Sequence, residues 1–181
     1  MSIANEIIMI FILILVNALL AMSEAALVAS RKARLQQQAG EGNKSSALAL
    51  KLIEDPNIFL STVQIGITLI GVLAGAVGGA TIAESLGKAL QNVPYIGVYS
   101  TSIALGIVVI SITTLTIWLG ELVPKRLGLN SPEKIAQVVA GPMLFLSRIF
   151  SPFIKLMCLA TNFVLRLFGV NASSEPPITE E

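Results

Sequence analysis

Long apolar stretches alternate with short polar ones along the chain. Three apolar runs cover about residues 5–30, 58–84 and 96–122, and few charged residues interrupt them. About 20 residues of helix cross the roughly 30 Å hydrocarbon core of a bilayer, so each run is long enough to span it. Because backbone groups in lipid must find hydrogen-bond partners within their own segment, a single span has to be helical. The pattern predicts an all-α membrane protein with three transmembrane helices per protomer.

The polar stretch after the first run predicts two short helices. Residues 33–55 are polar and favour helix, and the sequence Gly40-Glu41-Gly42-Asn43 is typical of a turn. The second of these helices has an apolar face, which we expect to pack on the membrane-proximal surface. The stretch is therefore predicted to form a cytoplasmic helical hairpin without chemistry of its own.

A fourth apolar stretch, at about residues 132–169, differs from the three runs. Pro142 and Pro152 interrupt it, and its polar residues fall on one narrow stripe of a helical projection, namely Arg148, Ser151, Lys155, Asn162 and Arg166. An apolar helix with a thin cationic stripe is typical of a segment in the membrane interface, so we predict a kinked juxtamembrane belt around the spans. The alternative is a fourth span, which would place the C-terminus outside.

Basic residues follow the first and third runs. Arg31, Lys32 and Arg34 come after the first run, whereas only Glu6 precedes it, and Lys125 and Arg126 close the third. A secretory signal peptide needs a basic segment before its apolar core, so this reading is rejected. Cations favour the cytoplasmic ends of spans. We therefore expect a multi-pass protein of the inner (plasma) membrane, with its N-terminus outside and its C-terminus in the cytoplasm.

Composition excludes several classes of function. The chain is 54% hydrophobic and 13% charged, with a mean hydropathy of +0.81, which places it in a bilayer. A net charge of +1 offers no basic surface for nucleic acid. The absence of histidine excludes imidazole catalysis and ordinary zinc sites, so we expect no enzyme activity and no prosthetic group. The single cysteine, Cys158, lies among apolar residues and is interpreted as a small apolar side chain.

The third run ends abruptly at Gly120-Glu121-Leu122-Val123-Pro124, and this is the leading candidate for a functional site. Proline lacks a backbone N–H and clashes with the preceding turn, so the helix is expected to kink or stop there and free its carbonyls beside the carboxylate. Transporters use such broken helices to hold ions. The alternative is a plain helix end with charges that reach the interface.

Polar side chains in the other two runs lie at a similar depth. Ser23 and Glu24 are near the cytoplasmic end of the first run, and Gln64 and Thr68 are near that of the second. Buried polar groups need partners, so three segments that bring them to one level indicate a shared polar cavity.

Glycines recur every four residues in the second run, at Gly71, Gly75 and Gly79. This spacing places them on one helix face and lets another backbone approach closely. We interpret the face as a helix-packing surface, within the protomer or across a dimer. A substrate path is the alternative.

Motifs in the three predicted spans follow one another in a fixed order. They are Met22-Ser23-Glu24-Ala25-Ala26-Leu27 with Arg31-Lys32-Ala33-Arg34, then Phe59-Leu60-Ser61-Thr62-Val63-Gln64-Ile65-Gly66-Ile67-Thr68-Leu69, then Gly120-Glu121-Leu122-Val123-Pro124-Lys125-Arg126. Together they resemble the transmembrane (DUF21) domain of the CorC/HlyC and cyclin-M family, and more closely its bacterial members. The resemblance covers residues 1–170, and residues 171–181 look like a linker to a pair of CBS domains.

The resemblance implies a homodimer embedded in membrane lipid, with CBS domains that bind nucleotide in the full-length protein. It also implies export of Mg²⁺ or another divalent cation as substrate, through an anionic cavity open to the cytoplasm. The family's serine and acid around Mg²⁺ correspond to Ser23 and Glu121. Where cyclin-M members carry asparagines in the second span, this chain has Ile67 and Gly71, and Gln64 or Thr68 would have to compensate. The further candidate ligands are Glu24, Gly66, Gly120 and Pro124.

Two other functions stay open at this point. The variant second-span motif is similar to bacterial relatives for which export of organic polyamine cations is suspected, and a cavity with Glu24 and Glu121 would suit either kind of cation. Trp118, one turn before Glu121, could add a cation–π contact to an organic cation. A third hypothesis is a membrane scaffold or sensor that dimerises and transports nothing.

Overall fold

Helices and short turns make up the part of the chain that the computed structural model describes, residues 3–94 and 97–168. The helices are α1 (Ile3–Ala29), α2 (Lys32–Gly40), α3 (Lys44–Glu54), α4 (Pro56–Val77), α5 (Ala83–Leu90), α6 (Ser100–Ile117), α7 (Val123–Asn130) and α8 (Pro132–Leu167). One π-helical turn, Gly78–Ile82, joins α4 to α5, and a second, Trp118–Leu122, joins α6 to α7. A 3₁₀ turn, Gly97–Tyr99, precedes α6. The predicted all-α membrane fold is confirmed, whereas the predicted linker at 171–181 lies outside the described residues.

Four helical stretches are long and apolar enough to cross a membrane, namely Ile3–Ala29, Pro56–Val77, Gly97–Asn130 and Pro132–Leu167. The first three correspond to the predicted runs. The fourth contains α8, which continues through both Pro142 and Pro152. Residues of α8 line cavities with the α1–α2 junction, the α3–α4 junction and the first turns of α4. These neighbours lie at one end of the bundle, as a belt would, but the number of spans stays a prediction.

The second apolar run ends later than the sequence predicts. The predicted run closes at about residue 84, but helix α5 continues to Leu90. Glu84 and Lys88 form an ion pair of 2.7 Å one turn apart, a spacing that supports helix. Gly87 packs closely on the start of α6, where a Cβ would lie 3.5 Å from Thr101 Cα. The Glu84–Lys88 ion pair and the close packing of Gly87 on α6 both support the helical conformation of this segment.

The predicted hairpin is present as α2 and α3. Asn43 caps α3 by accepting a hydrogen bond of 3.1 Å from the Ser46 backbone N–H, and Gly42 has φ +94°, the left-handed conformation that glycine tolerates. Buried apolar residues connect α3 to α8, including Leu50, Leu52 and Met143. The hairpin therefore packs against α8.

Helix α1 lies at the centre of the molecule and packs against α4, α7 and α8. Small residues permit the close approaches. A Cβ at Gly66 would lie 2.7 Å from Leu20 Cδ1, and a Cβ at Gly128 would lie 2.7 Å from the Met22 carbonyl oxygen. Because α1 contacts both other predicted spans, polar groups near its end can meet residues of α7.

Candidate cation-binding site

The third span does not stop at Pro124, so of the two predicted outcomes, a kink or a stop, the stop is excluded. The helix widens into the π-helical turn, where the Val123 backbone N–H bonds the Trp118 carbonyl five residues back, and then continues as α7. Pro124 is the second residue of α7, directly after the π-helical turn, so its missing N–H falls inside a continuous helix. One extra residue in the turn relieves the clash that proline causes in a regular helix. The chain therefore accommodates the proline without ending the helix.

The Gly120 carbonyl, four residues before the proline, is not left free. It accepts a hydrogen bond of 2.9 Å from the Asn17 side-chain amide of α1. Asn17 is buried, and a Cβ at Gly120 would lie 3.1 Å from its amide nitrogen. Gly120 thus allows the contact, and Asn17 replaces the donor that Pro124 lacks. Our expectation of an open carbonyl at Gly120 is corrected accordingly. In the sequence, Asn17 is recognisable only as a polar amide inside the first apolar run, and nothing indicates its hydrogen bond to Gly120.

Replacing Asn17 with alanine is expected to destabilise the folded chain by about 1–2 kcal/mol, because the buried Gly120 carbonyl loses its donor. Thermal or denaturant unfolding of the detergent-purified protein measures the loss. The Pro124→Ala background is the matched control, since alanine restores a backbone N–H near this carbonyl. In the Pro124→Ala background, Asn17→Ala should lower the free energy of unfolding by less than it does in the original protein. An equal cost in both backgrounds would show that Asn17 does not replace the proline's missing donor.

Two carboxylates from different helices meet at one ammonium group. Lys125 Nζ lies 2.8 Å from Glu121 Oε1 and 3.3 Å from Glu24 Oε2. The side chains are partly buried, at 35% exposure for Lys125, 38% for Glu121 and 27% for Glu24. The contact between α1 and α7 brings Glu24 to this point, and the one-turn spacing brings Glu121. From the sequence, Lys125 indicated only the orientation of the spans. Its spacing of four residues from Glu121 could also have indicated an ion pair between these two residues.

The charges at this point do not balance. Two carboxylates face one ammonium, which leaves one negative charge in a partly desolvated place near the end of the spans. Such a charge attracts cations more strongly than it would in bulk water. Within residues 3–94 and 97–168, no three acidic or cysteine side chains form a group able to hold a metal. A bound metal ion would therefore keep much of its water or use neutral oxygens.

Two of the other predicted ligands, Ser23 and Gly66, make contacts of their own within the protein. Ser23 is fully buried, and its hydroxyl donates a hydrogen bond of 2.6 Å to the Leu19 carbonyl of its own helix. Gly66 faces Leu20 and serves close helix packing. No hydrogen bond in the described part of the chain joins Ser23, Gln64 and Glu121 to one another. Their meeting in one cation shell stays a prediction, because ligands of one ion need not bond to one another.

Gln64 instead shares a cavity with Glu24. The cavity has a volume of about 530 Å³ and lies between α1, α4 and α8. Its walls are mostly apolar, with a few polar groups, and are formed by Leu60, Ser61, Ile65, Ile154, Met157, Cys158 and Thr161. Thr68, one turn beyond Gln64, is exposed and does not line it. Glu24 is the residue that connects this cavity to Lys125 and Glu121. Cys158, predicted to be a small apolar side chain, is exposed and lines the cavity wall.

The three glycines spaced by four do not pack closely within the protomer. They line a groove of about 190 Å³ between α4 and α6, together with Val108, Val109, Ile112, Thr113, Thr116 and Ile117. A Cβ at Gly71 or Gly75 would meet no atom of the described chain within 4 Å, and one at Gly79 would touch only Leu105 at 3.9 Å. Packing across a dimer stays a prediction.

Comparison with known proteins places this geometry in a family context. Residues 8–181 match the family described as the Cyclin M transmembrane N-terminal domain. A protein of the UPF0053 group from Synechocystis is 46% identical over 180 residues, 99% of this chain and 40% of that protein. Proteins named polyamine export protein are 33% identical in Salmonella typhimurium (98% of this chain, 39% of the relative) and 31% in Haemophilus influenzae (100% and 42%). The chain spans about two fifths of the length of these relatives.

Proposed function

The chain belongs to the cyclin M transmembrane family, and from this premise we propose that it is the membrane domain of a cation exporter. The observation that carries the proposal is the ammonium of Lys125 between the carboxylates of Glu24 and Glu121. A site in which two carboxylates surround one ammonium group has excess negative charge and therefore favours the binding of cations. The membrane helices around it and the names of the relatives support transport as the use of this site.

Lys125 acts in this proposal as a cation tethered to the site. An incoming cation competes with the ammonium for the two carboxylates, and the lysine returns when the cation leaves. Glu121 lies on the π-helical turn and Lys125 on α7, which continues from that turn, whereas Glu24 lies on α1. Loss of the bridging ammonium therefore changes the attraction between α1 and the third span. Substrate binding is thereby coupled to the contact between spans.

Export of Mg²⁺ is the first substrate hypothesis. Mg²⁺ binds oxygen ligands in octahedral geometry and gives up its water reluctantly, so proteins hold it with one or two carboxylates. Glu24 and Glu121 supply that number. Ser23 still has acceptor capacity on its hydroxyl oxygen, and Gln64 has an amide oxygen, so both belong to the proposal as neutral ligands after a rearrangement. Mg²⁺ would be the transported substrate and not a resident cofactor.

Export of an organic polyamine is the second hypothesis, and two observations favour it. The site already accommodates an alkylammonium, the Lys125 side chain. The adjoining cavity offers apolar walls beside Glu24, which suits the methylene segments of a polyamine. Trp118 is exposed at the start of the π-helical turn and does not line this cavity. Its cation–π contact with an organic cation stays a proposal.

Direct flux measurement decides between these hypotheses. Proteoliposomes that contain the purified chain are tested with Mg²⁺ and, separately, with spermidine. Concentration-dependent flux of one cation that exceeds protein-free vesicles assigns the substrate. Flux of neither cation, together with no cation-dependent thermal shift, would favour the scaffold or sensor hypothesis.

Removing the tethered cation tests the proposed competition. Lys125→Met is expected to tighten cation binding about five-fold, the effect of one partly exposed ion pair. Cation-dependent thermal shift of the purified protein measures it. Lys88→Met is the matched control, because Lys88 pairs with Glu84 at 2.7 Å with the same one-turn spacing, outside this site. Weaker binding in Lys125→Met, or equal changes in both variants, would contradict competition.

Several finer properties complete the proposal. We place the domain in the inner (plasma) membrane with the Lys125 end facing the cytoplasm, because cations concentrate at that end. The glycine groove is the proposed dimer contact. Nucleotide-binding CBS domains after residue 181 would supply regulation in the full-length protein.

A further inference from the structure

A second polar cavity lies at the junction of α1 with α2 and of α7 with α8, distinct from the site of Glu24 and Glu121. Its volume is about 630 Å³. Positively charged and amide side chains dominate its lining, notably Arg31, Arg34, Lys134, Gln38 and Gln137. The cavity lies where α1 and α7 end, at the end of two helical stretches that are long and apolar enough to cross a membrane.

The cavity carries an excess of positive charge. Glu133 is its single acidic residue, and its carboxylate lies 3.6 Å from the Arg34 guanidinium. Arg34 is 61% exposed, so most of its donors remain available. Within the described ranges, neither Arg31 nor Lys134 has a carboxylate within 4.0 Å. Three cations and one acid leave two positive charges directed at the same space.

Backbone groups add donors to this charge. Helix α2 begins after Arg31 and helix α8 begins after Ser131, and neither residue caps its helix with its side chain. The first backbone N–H groups of a helix lack intrahelical partners and attract anions. These backbone donors add to the attraction of an anion, which depends mainly on the side-chain cations.

The wall of the cavity is held in place by a network of hydrogen bonds. Gln137 Nε2 donates to Gln38 Oε1 at 2.6 Å, and the Ser46 hydroxyl donates to the same oxygen at 3.2 Å. This network ties α2, α3 and α8 together at the cavity. The exposed side chains of Arg31, Arg34 and Lys134 thus line a cavity whose wall is formed by several bonded helices.

We propose that this cavity binds the phosphate group of an anionic lipid headgroup. Guanidinium groups match phosphate geometry with paired hydrogen bonds, and Arg31 and Arg34 supply two of them. The position at the end of the spans suits a lipid, because the phosphate would lie at headgroup level. Exposed apolar side chains beside the cavity, Val28 and Leu129, would contact the acyl chains. The inference does not depend on the transported cation.

Lipid binding by the detergent-purified chain tests the proposal. Retention of phosphatidylglycerol is titrated by native mass spectrometry, with phosphatidylcholine as the zwitterionic lipid. The double variant Arg31→Gln/Lys134→Gln should weaken phosphatidylglycerol binding more than ten-fold, at about five-fold for each cation removed. The control Lys32→Gln/Lys44→Gln removes two exposed cations that do not line the cavity, and should change binding less than two-fold.

A competition arm separates the two sources of phosphate. Displacement of the lipid by inorganic phosphate, only at high concentration, supports the lipid headgroup as the ligand. Binding of inorganic phosphate without retention of phosphatidylglycerol would overturn the lipid source. Equal weakening by the two double variants would overturn the site itself, because binding would then follow total charge. The single variants Arg31→Gln and Lys134→Gln, with their unfolding midpoints, apply the same criterion if the double variant fails to fold.

Discussion

Replacing Glu121 with glutamine is expected to reduce cation flux at least ten-fold. Glutamine keeps the shape of the side chain but removes the charge, and it leaves Lys125 paired with Glu24 alone. The site then holds one carboxylate and one ammonium, so the excess negative charge that attracts a second cation is lost. Flux of Mg²⁺ and of spermidine in proteoliposomes measures the effect.

The chain offers a closely matched control for this variant. Glu84 pairs with Lys88 at 2.7 Å and the same one-turn spacing, but at the other end of the spans. Glu84→Gln removes an equal charge from a pair of the same spacing and a similar distance, though a more exposed one, so general effects of charge appear in both variants. We expect its flux to stay within two-fold of the original. Unchanged flux of both cations in Glu121→Gln, with export in the original chain, would remove Glu121 from the mechanism.

A folding control completes this experiment. Glu121→Gln should unfold within a few degrees of the original protein, because the Glu121–Lys125 pair is partly exposed and contributes little stability. Cation-dependent stabilisation should fall in parallel with flux. A variant that unfolded early would show that Glu121 serves the structure, and the proposed role in binding would then be wrong.

Replacing Gly128 with alanine is expected to destabilise the protein by about 1–3 kcal/mol, the usual cost of overpacking a tight contact. The new Cβ would lie 2.7 Å from the Met22 carbonyl oxygen and 3.2 Å from the Ala26 backbone nitrogen. Backbone atoms cannot turn aside as a flexible side chain can. Helix α7 would therefore have to move away from α1, and Glu121 and Lys125 would move away from Glu24.

Gly106→Ala is the control for this substitution. Gly106 lies inside α6, where a Cβ would meet no described atom within 4 Å, so alanine should leave stability unchanged or raise it by up to about 1 kcal/mol. Unfolding of the purified variants measures both. Cation binding should weaken in Gly128→Ala and not in Gly106→Ala. A Gly128→Ala protein as stable as Gly106→Ala would mean that α7 does not rest on α1 at this distance.

The sequence alone was sufficient for the features that depend on local chemistry. The lengths of the apolar runs predicted the spans because the bilayer sets a minimum length, and the turn at Gly40-Glu41-Gly42-Asn43 follows from residues that cap and reverse a chain. The importance of Glu121 followed from a carboxylate at the end of an uncharged run. These properties require no knowledge of which helix lies beside which.

Tertiary structure decided how the polar residues are paired. Pro124 predicts a missing hydrogen bond, but whether the helix breaks or widens depends on a neighbour, and here Asn17 of α1 supplies the donor to Gly120. Lys125 reaches Glu24 because α7 packs on α1 through Gly128, a contact more than 100 residues apart in the chain. Gln64 and Glu24 line one cavity between α1, α4 and α8. Their shared position is decided by how these helices rotate and pack, which the place of a residue in the sequence does not determine.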